Sequence, residues 1–211
     1  MSTVKAKDDG AGGFIILFFI LGLVASMILG WIVFPGLLYS QKEQPFDFDH
    51  ALHMDIVGTC DSCHFFRDDG TFAGVPKLAQ CIDCHEDVQG FTKDEEIFVN
   101  EYVRNYREVP WLIYSEQPDC VFFSHAAHVM SGGMECKTCH GPIGESTSLK
   151  TYEYNRITGY SRDIYGKSML GFKKNPWDRM KMDDCAECHR ENGVKQNSAQ
   201  TQKGACFVCH K

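Results

Sequence analysis

Phe48-Asp49-His50-Ala51-Leu52-His53-Met54-Asp55-Ile56-Val57-Gly58-Thr59-Cys60-Asp61-Ser62-Cys63-His64 decides how the rest of the chain is read. It ends in Cys-x-x-Cys-His, the spacing that fixes a c-type haem by two thioethers while the adjacent histidine ligates the iron. The pattern returns at Cys81/Cys84/His85, Cys136/Cys139/His140, Cys185/Cys188/His189 and Cys206/Cys209/His210. Five occurrences exclude chance. Four-cysteine zinc sites have no need of a histidine after every second cysteine, and a thioredoxin-like motif would occur once in a βαβ setting. Five haem c are expected.

The two histidines ahead of the first motif belong to an internal repeat. Phe48-x-His50-x-x-His53 followed by motifs at Cys60 and Cys81 is matched by Phe123-x-His125-x-x-His128 followed by motifs at Cys136, Cys185 and Cys206. The chain therefore reads as two haem modules, 46–115 and 116–211. The second is enlarged by the segment 141–181 and one further haem.

Nine histidines are present, and five of them are spent as proximal ligands. An electron-transfer haem is normally six-coordinate, with a histidine or methionine on its far side. His50, His53, His125 and His128 are thus expected as distal ligands of four haems. For the remaining one a methionine is expected: Met182, three residues before Cys185, with Met169 and Met180 as alternatives. Most methionines in any chain simply fill gaps.

The eleventh cysteine, Cys120, has no motif partner. Cys120-Val121-Phe122-Phe123-Ser124-His125 has the spacing of Cys-x-x-x-Cys-His with serine at the second cysteine. Cys120 is either a small buried thiol beside Val121 and Phe122 or the single thioether of a sixth haem. If His125 turned proximal, the histidines would no longer suffice for six irons.

A composition of 44% hydrophobic residues in 211 hides an uneven distribution. No charged residue occurs between Ala11 and Ser40. At about 1.5 Å per residue this run exceeds a hydrocarbon core of roughly 30 Å. A signal peptide has a shorter apolar region and a small-x-small cleavage site, which Pro35-Gly36-Leu37-Leu38-Tyr39-Ser40 does not supply. The expected organisation is a cytoplasmic N-terminus at 1–13, a transmembrane anchor at 14–40 and a periplasmic multihaem domain at 41–211. Lys5 and Lys7 before the helix place the N-terminus inside. Haem attachment fits the outer side of the cytoplasmic membrane, where unprotected cysteines would otherwise pair as disulfides.

After the anchor, Gln41 to Pro45 reads as a polar linker, Glu95 to Arg107 as a helix, Asp184 to Gly193 as a short helix bearing a haem motif, and 141–181 as irregular. The fold class is mostly irregular with short α-helices and one N-terminal transmembrane helix. Side chains alone do not make a sufficient core for such a chain, and haems are expected to complete it. A net charge of −7, made more negative by haem propionates, favours a basic partner such as a soluble periplasmic multihaem cytochrome and gives no reason to expect nucleic acid.

Together the anchor, Gln44-Pro45-x-x-Phe48-x-His50-x-x-His53, Gly74-Val75-Pro76 before Cys81, Phe123-Ser124-His125-x-x-His128 and Cys136-x-x-Cys139-His140-Gly141-Pro142 carry a family resemblance over nearly the whole chain. The chain resembles the membrane-anchored multihaem cytochrome c of alternative complex III and of the quinone reductase complex (Qrc). The resemblance implies class III-like haem packing, an iron-sulfur/molybdopterin-type periplasmic partner, and integral membrane quinone-binding subunits. It also implies a methionine-ligated haem at the Cys185 motif. The insertion before Cys185 and the presence of Cys120 favour the Qrc branch. The function expected is electron transfer between a soluble periplasmic cytochrome and menaquinone, with no catalytic site of its own. The alternatives are a quinol-oxidising alternative complex III subunit, or a multihaem reductase with one open haem position.

Overall fold

The computed structural model describes residues 11–68, 70, 74–161 and 182–193. The chain divides into two compact units, Met1–Ser40 and Gln41–Lys211.

The first unit is helical. α1, Ala11–Ile28, has no charged residue and no buried face. A single wide π-helical turn, Leu29–Val33, leads into α2, Phe34–Leu38. Pro35 explains the interruption: it lacks an N–H and its ring crowds the carbonyl four residues earlier, so the ladder must widen. Gly12–Leu38 is long and apolar enough to cross a membrane, with a mean hydropathy of 2.7 in its most apolar window.

The second unit opens within β1, Tyr39–Lys42, which pairs with β2, Tyr152–Asn155. Gln41 and Lys42 therefore lie in a strand where a linker was expected. Gln41 reaches the Glu153 carboxylate at 3.3 Å and the Lys42 ammonium sits over the Tyr154 ring, so the strand gains side-chain partners that its own polar sequence does not announce.

Short helices carry the haem motifs and the paired histidines. α3, His50–Val57, starts where the Asp49 carboxylate accepts from Leu52 N–H at 2.9 Å, and stops at Gly58, whose φ of 81° suits a residue without Cβ. Cys60–Ser62 forms a 3₁₀ turn. α4, Leu78–His85, bears the second motif, and α5, Lys93–Phe98, begins at the Thr92 hydroxyl and runs into a π-helical stretch Val99–Val103. The helix expected from Glu95 thus exists but begins two residues earlier and changes pitch. His128 lies in a second π-helical stretch, Ala126–Ser131, and the third motif forms α6, Cys136–His140. α7, Met182–Glu191, bears the fourth. The fifth motif at Cys206, Cys209 and His210 lies outside the described residues, as do Met169 and Met180.

The conventional core is small. Phe46, Leu78, Phe98, Val99, Tyr102 and Val103 form one buried cluster, flanked by Cys81, Ile82, Val88, Val109 and Trp111. Phe46 is its hub, with its ring 5.2 Å from Phe98, 5.7 Å from Tyr102 and 4.8 Å from Trp111. Among the described residues Tyr152 is the only other buried apolar side chain. The cluster holds α4 to α5, and among the described residues after 115 only Tyr152 is a buried apolar side chain.

The two modules interlock through backbone. Ala51 N–H in α3 donates to the Ser146 carbonyl at 3.0 Å, in the loop after the third motif. Ala126 N–H donates to the Gly70 carbonyl at 2.7 Å, in the loop after the first. Each histidine segment is thus docked on the loop that follows the other module's motif. Gly70 has φ 65°, and a Cβ there would lie 2.6 Å from the Ala126 Cβ, so the contact requires glycine twice over.

Candidate haem-binding site

The paired histidines are built the same way in both modules. The Phe48 ring stacks on His53 at 4.2 Å and meets His50 edge-on at 4.8 Å. The Phe123 ring stacks on His128 at 4.5 Å and meets His125 edge-on at 4.8 Å. His53 Nδ1–H donates to the Asp49 carbonyl at 2.7 Å, and His128 Nδ1–H to the Ser124 carbonyl at 2.8 Å, four residues back in each case. One phenylalanine therefore orients both imidazoles of a pair, and a local hydrogen bond fixes the tautomer that turns Nε2 outward.

The proximal histidines are prepared similarly. His64 Nδ1–H donates to the Gly74 carbonyl at 2.9 Å, and His85 Nδ1–H to the Glu95 carboxylate at 2.9 Å. The Gly74-Val75-Pro76 stretch thus acts by aiming His64. Neither that role nor Glu95 is apparent in the sequence, because both are contacts ten residues away through a loop or a turn.

Two imidazole pairs face each other across the gap that a haem iron requires. His53 and His85 have ring centroids 6.1 Å apart with planes at 33°, and His128 and His189 are 6.0 Å apart at 16°. Two metal–nitrogen bonds of about 2 Å, added to the distances from ring centre to nitrogen, give roughly this separation. The residues present fit a haem c held between two histidines.

The other four described histidines, His50, His64, His125 and His140, converge without such a direct reading of ring geometry. Burial lowers the pKa of His50, and nearby His64 and His53 lower it further. Burial also pushes His140 down to about 4, with His125, His64 and Lys150 adding to the effect. Both imidazoles are thereby kept neutral, the form that binds iron. The Ser146 hydroxyl approaches His50 Nδ1 at 3.4 Å. Beside His140 a cleft is lined by Tyr114, Pro142, Ile143, Ser146, Leu149 and Lys150.

Cysteines of different motifs are neighbours as well. Burial raises the Cys60 pKa and so does the adjacent Cys136 thiol, with which it shares a hydrogen bond. Burial, then Cys63 and Glu108, pushes Cys81 up to about 11. Cys60 of the first motif and Cys136 of the third therefore meet, and Cys63 of the first lies within electrostatic reach of Cys81 of the second.

Two expected residues stand apart. Met182 is 70% exposed and lies on the same helix as His189, while His128 occupies the position facing His189. Cys120 is exposed, which removes the reading of it as a small buried thiol.

Comparison with known proteins agrees with this construction. A family model for cytochrome c7 and related cytochrome c matches residues 121–211, and one for the class III cytochrome c family matches 36–108. The chain is 43% identical over 206 residues to the menaquinone reductase multihaem cytochrome c subunit of Nitratidesulfovibrio vulgaris (strain Hildenborough), across 92% of this chain and 89% of that protein. With its mostly irregular and helical fold, its repeated haem motifs and its facing histidines, this chain belongs to the family of menaquinone reductase multihaem cytochrome c subunits.

Proposed function

We propose that the chain passes electrons through five haem c between a soluble periplasmic cytochrome and the quinone-linked membrane subunits of a menaquinone reductase complex. The observation that carries this is the pair of facing imidazole sets, His53 with His85 and His128 with His189, because an iron held on both sides transfers electrons without offering a substrate position. Haem supplies the one-electron chemistry when bound, and the chain's part is to hold, orient and shield it.

In this reading His50 serves the haem at Cys60 and Cys63, His53 that at Cys81 and Cys84, His125 that at Cys136 and Cys139, and His128 that at Cys185 and Cys188. The first histidine of each pair takes the first haem of its module, and the second takes the next. The haem without a distal histidine is then the one at Cys206 and Cys209, with His210 proximal. That role leaves Met182 and passes to the fifth motif, for which a methionine remains the ligand type of choice. The nearness of Cys63 to Cys81 and of Cys60 to Cys136 supports a row in which the Cys60 haem stands between the other two.

The helix at 14–40 anchors the chain in the cytoplasmic membrane with 41–211 on the periplasmic side. Its partners are an iron-sulfur/molybdopterin-type subunit, integral membrane quinone-binding subunits, and a basic multihaem cytochrome as donor. Purification in mild detergent tests the reading. The chain should emerge in fixed stoichiometry with integral membrane subunits, and the complex should reduce a menaquinone analogue when supplied with a reduced basic multihaem cytochrome. A chain that purifies alone and oxidises quinol by itself would overturn the proposal.

A further inference from the structure

His85 differs from His50, His53, His64 and His128 in what its Nδ1 meets. His53, His64 and His128 donate to backbone carbonyls, and His50 meets a hydroxyl. His85 donates to a carboxylate, Glu95 Oε1. The Glu95 side chain is only 12% exposed and is held by two further donors, Gln89 N–H at 2.8 Å and Gly90 N–H at 2.6 Å. It also stands in the first turn of α5, where Thr92 caps the helix and the peptide dipoles favour negative charge. A Cβ on Gly90 would fall 2.7 Å from Glu95 Oε2, so the glycine leaves the space that the carboxylate occupies. Phe98 closes the other side, edge-on to His85 at 5.7 Å.

We infer that Glu95 is a potential-tuning residue that gives the His85 imidazole anionic character and so makes the haem at Cys81 and Cys84 harder to reduce than the one at Cys60 and Cys63, whose His64 donates to a backbone carbonyl. A carboxylate bonded to the outer nitrogen raises the basicity of the ligating one, and a more basic ligand stabilises ferric over ferrous iron. A carbonyl does this far less, since it carries no full charge. Electrons on this haem then leave it downhill toward its neighbour at Cys60. Glu95 touches neither haem nor donor and acts only through His85.

The inference rests on His85 and His53 being ligands of that haem, and the test separates the two claims. In the full chain within its complex, His53→Ala should make one haem high-spin, which labels it spectroscopically. Glu95→Gln keeps a hydrogen-bond acceptor but removes the charge. It should raise the potential of that same haem by at least 59 mV, a tenfold higher ratio of reduced to oxidised at fixed poise, and leave the others in place. Gly90→Ala, at a backbone conformation open to alanine, should push the carboxylate aside and move the same potential upward by less. It keeps the test available if Glu95→Gln does not mature. Should His53→Ala leave every haem low-spin, the ligand reading fails. If His53→Ala acts as expected but neither Glu95→Gln nor Gly90→Ala shifts that haem, the tuning role is wrong.

Discussion

The imidazole of His128 faces that of His189 at 6.0 Å between ring centroids, with the two planes inclined by 16°. Met182, three residues before Cys185, lies seven residues from His189 on the same helix, about two turns away, and so on the same side of any haem that His189 ligates. A distal ligand must come from the opposite side. His128→Ala should therefore turn one low-spin haem high-spin in the visible and EPR spectra, whereas Met182→Ala should leave every haem spectrum unchanged. Loss of a thioether-to-iron band in Met182→Ala would restore the methionine to the Cys185 haem.

Gly70 and Ala126 join the modules at their tightest point. Gly70→Ala combines a positive φ with a 2.6 Å Cβ contact, a strain of about 1–3 kcal/mol. The expected result is a lower thermal midpoint together with partial loss of the low-spin signal of the haem that takes His125. A variant with wild-type melting and spectra would show that the segment moves freely.

Among the described residues the buried apolar cluster around Phe46 draws only on residues 46–111. Protein made without haem attachment should show no cooperative unfolding by circular dichroism or calorimetry in residues 116–211, since the macrocycles supply the missing apolar volume. Phe46→Ala in the mature protein should cost about 3–5 kcal/mol, confined to the first module.

Cys120 is exposed, and a solvent-facing thiol in an oxidising compartment calls for a use. The expected mass of the denatured chain is five haem increments, and six increments falling to five in Cys120→Ala would instead establish a sixth haem on that cysteine. Its iron ligands must then come from outside the nine histidines, all of which are assigned. Five increments with Cys120 open to iodoacetamide would dispose of the sixth haem.

Protease added to intact spheroplasts should release the haem-staining fragment from the 14–40 anchor. Protection of the haem domain would reverse the topology drawn from Lys5 and Lys7 and from the side on which haem c is attached.

The sequence by itself determined what is local. Cys-x-x-Cys-His needs only five consecutive residues to hold a haem edge and one iron ligand, so attachment at Cys60, Cys81, Cys136, Cys185 and Cys206 is an expectation that the sequence alone supplies. The anchor is read from the absence of charge between Ala11 and Ser40, and the two modules from the repeated Phe-x-His-x-x-His. That repeat even carried its geometry, because a phenylalanine two residues ahead of one histidine and five ahead of the other stacks and orients both within a single turn. Only the tertiary structure decided which histidines meet. His128 and His189 come together from separate elements, and no local pattern encodes that meeting. Proximity in sequence points to Met182 for the same haem, whereas the structure sets His128 facing His189. The meeting of Cys60 with Cys136, the docking of Gly70 on Ala126, and the carboxylate of Glu95 on His85 arise in the same way. Each joins groups whose positions are set by packing between segments, and the sequence of either segment alone says nothing of the other's place.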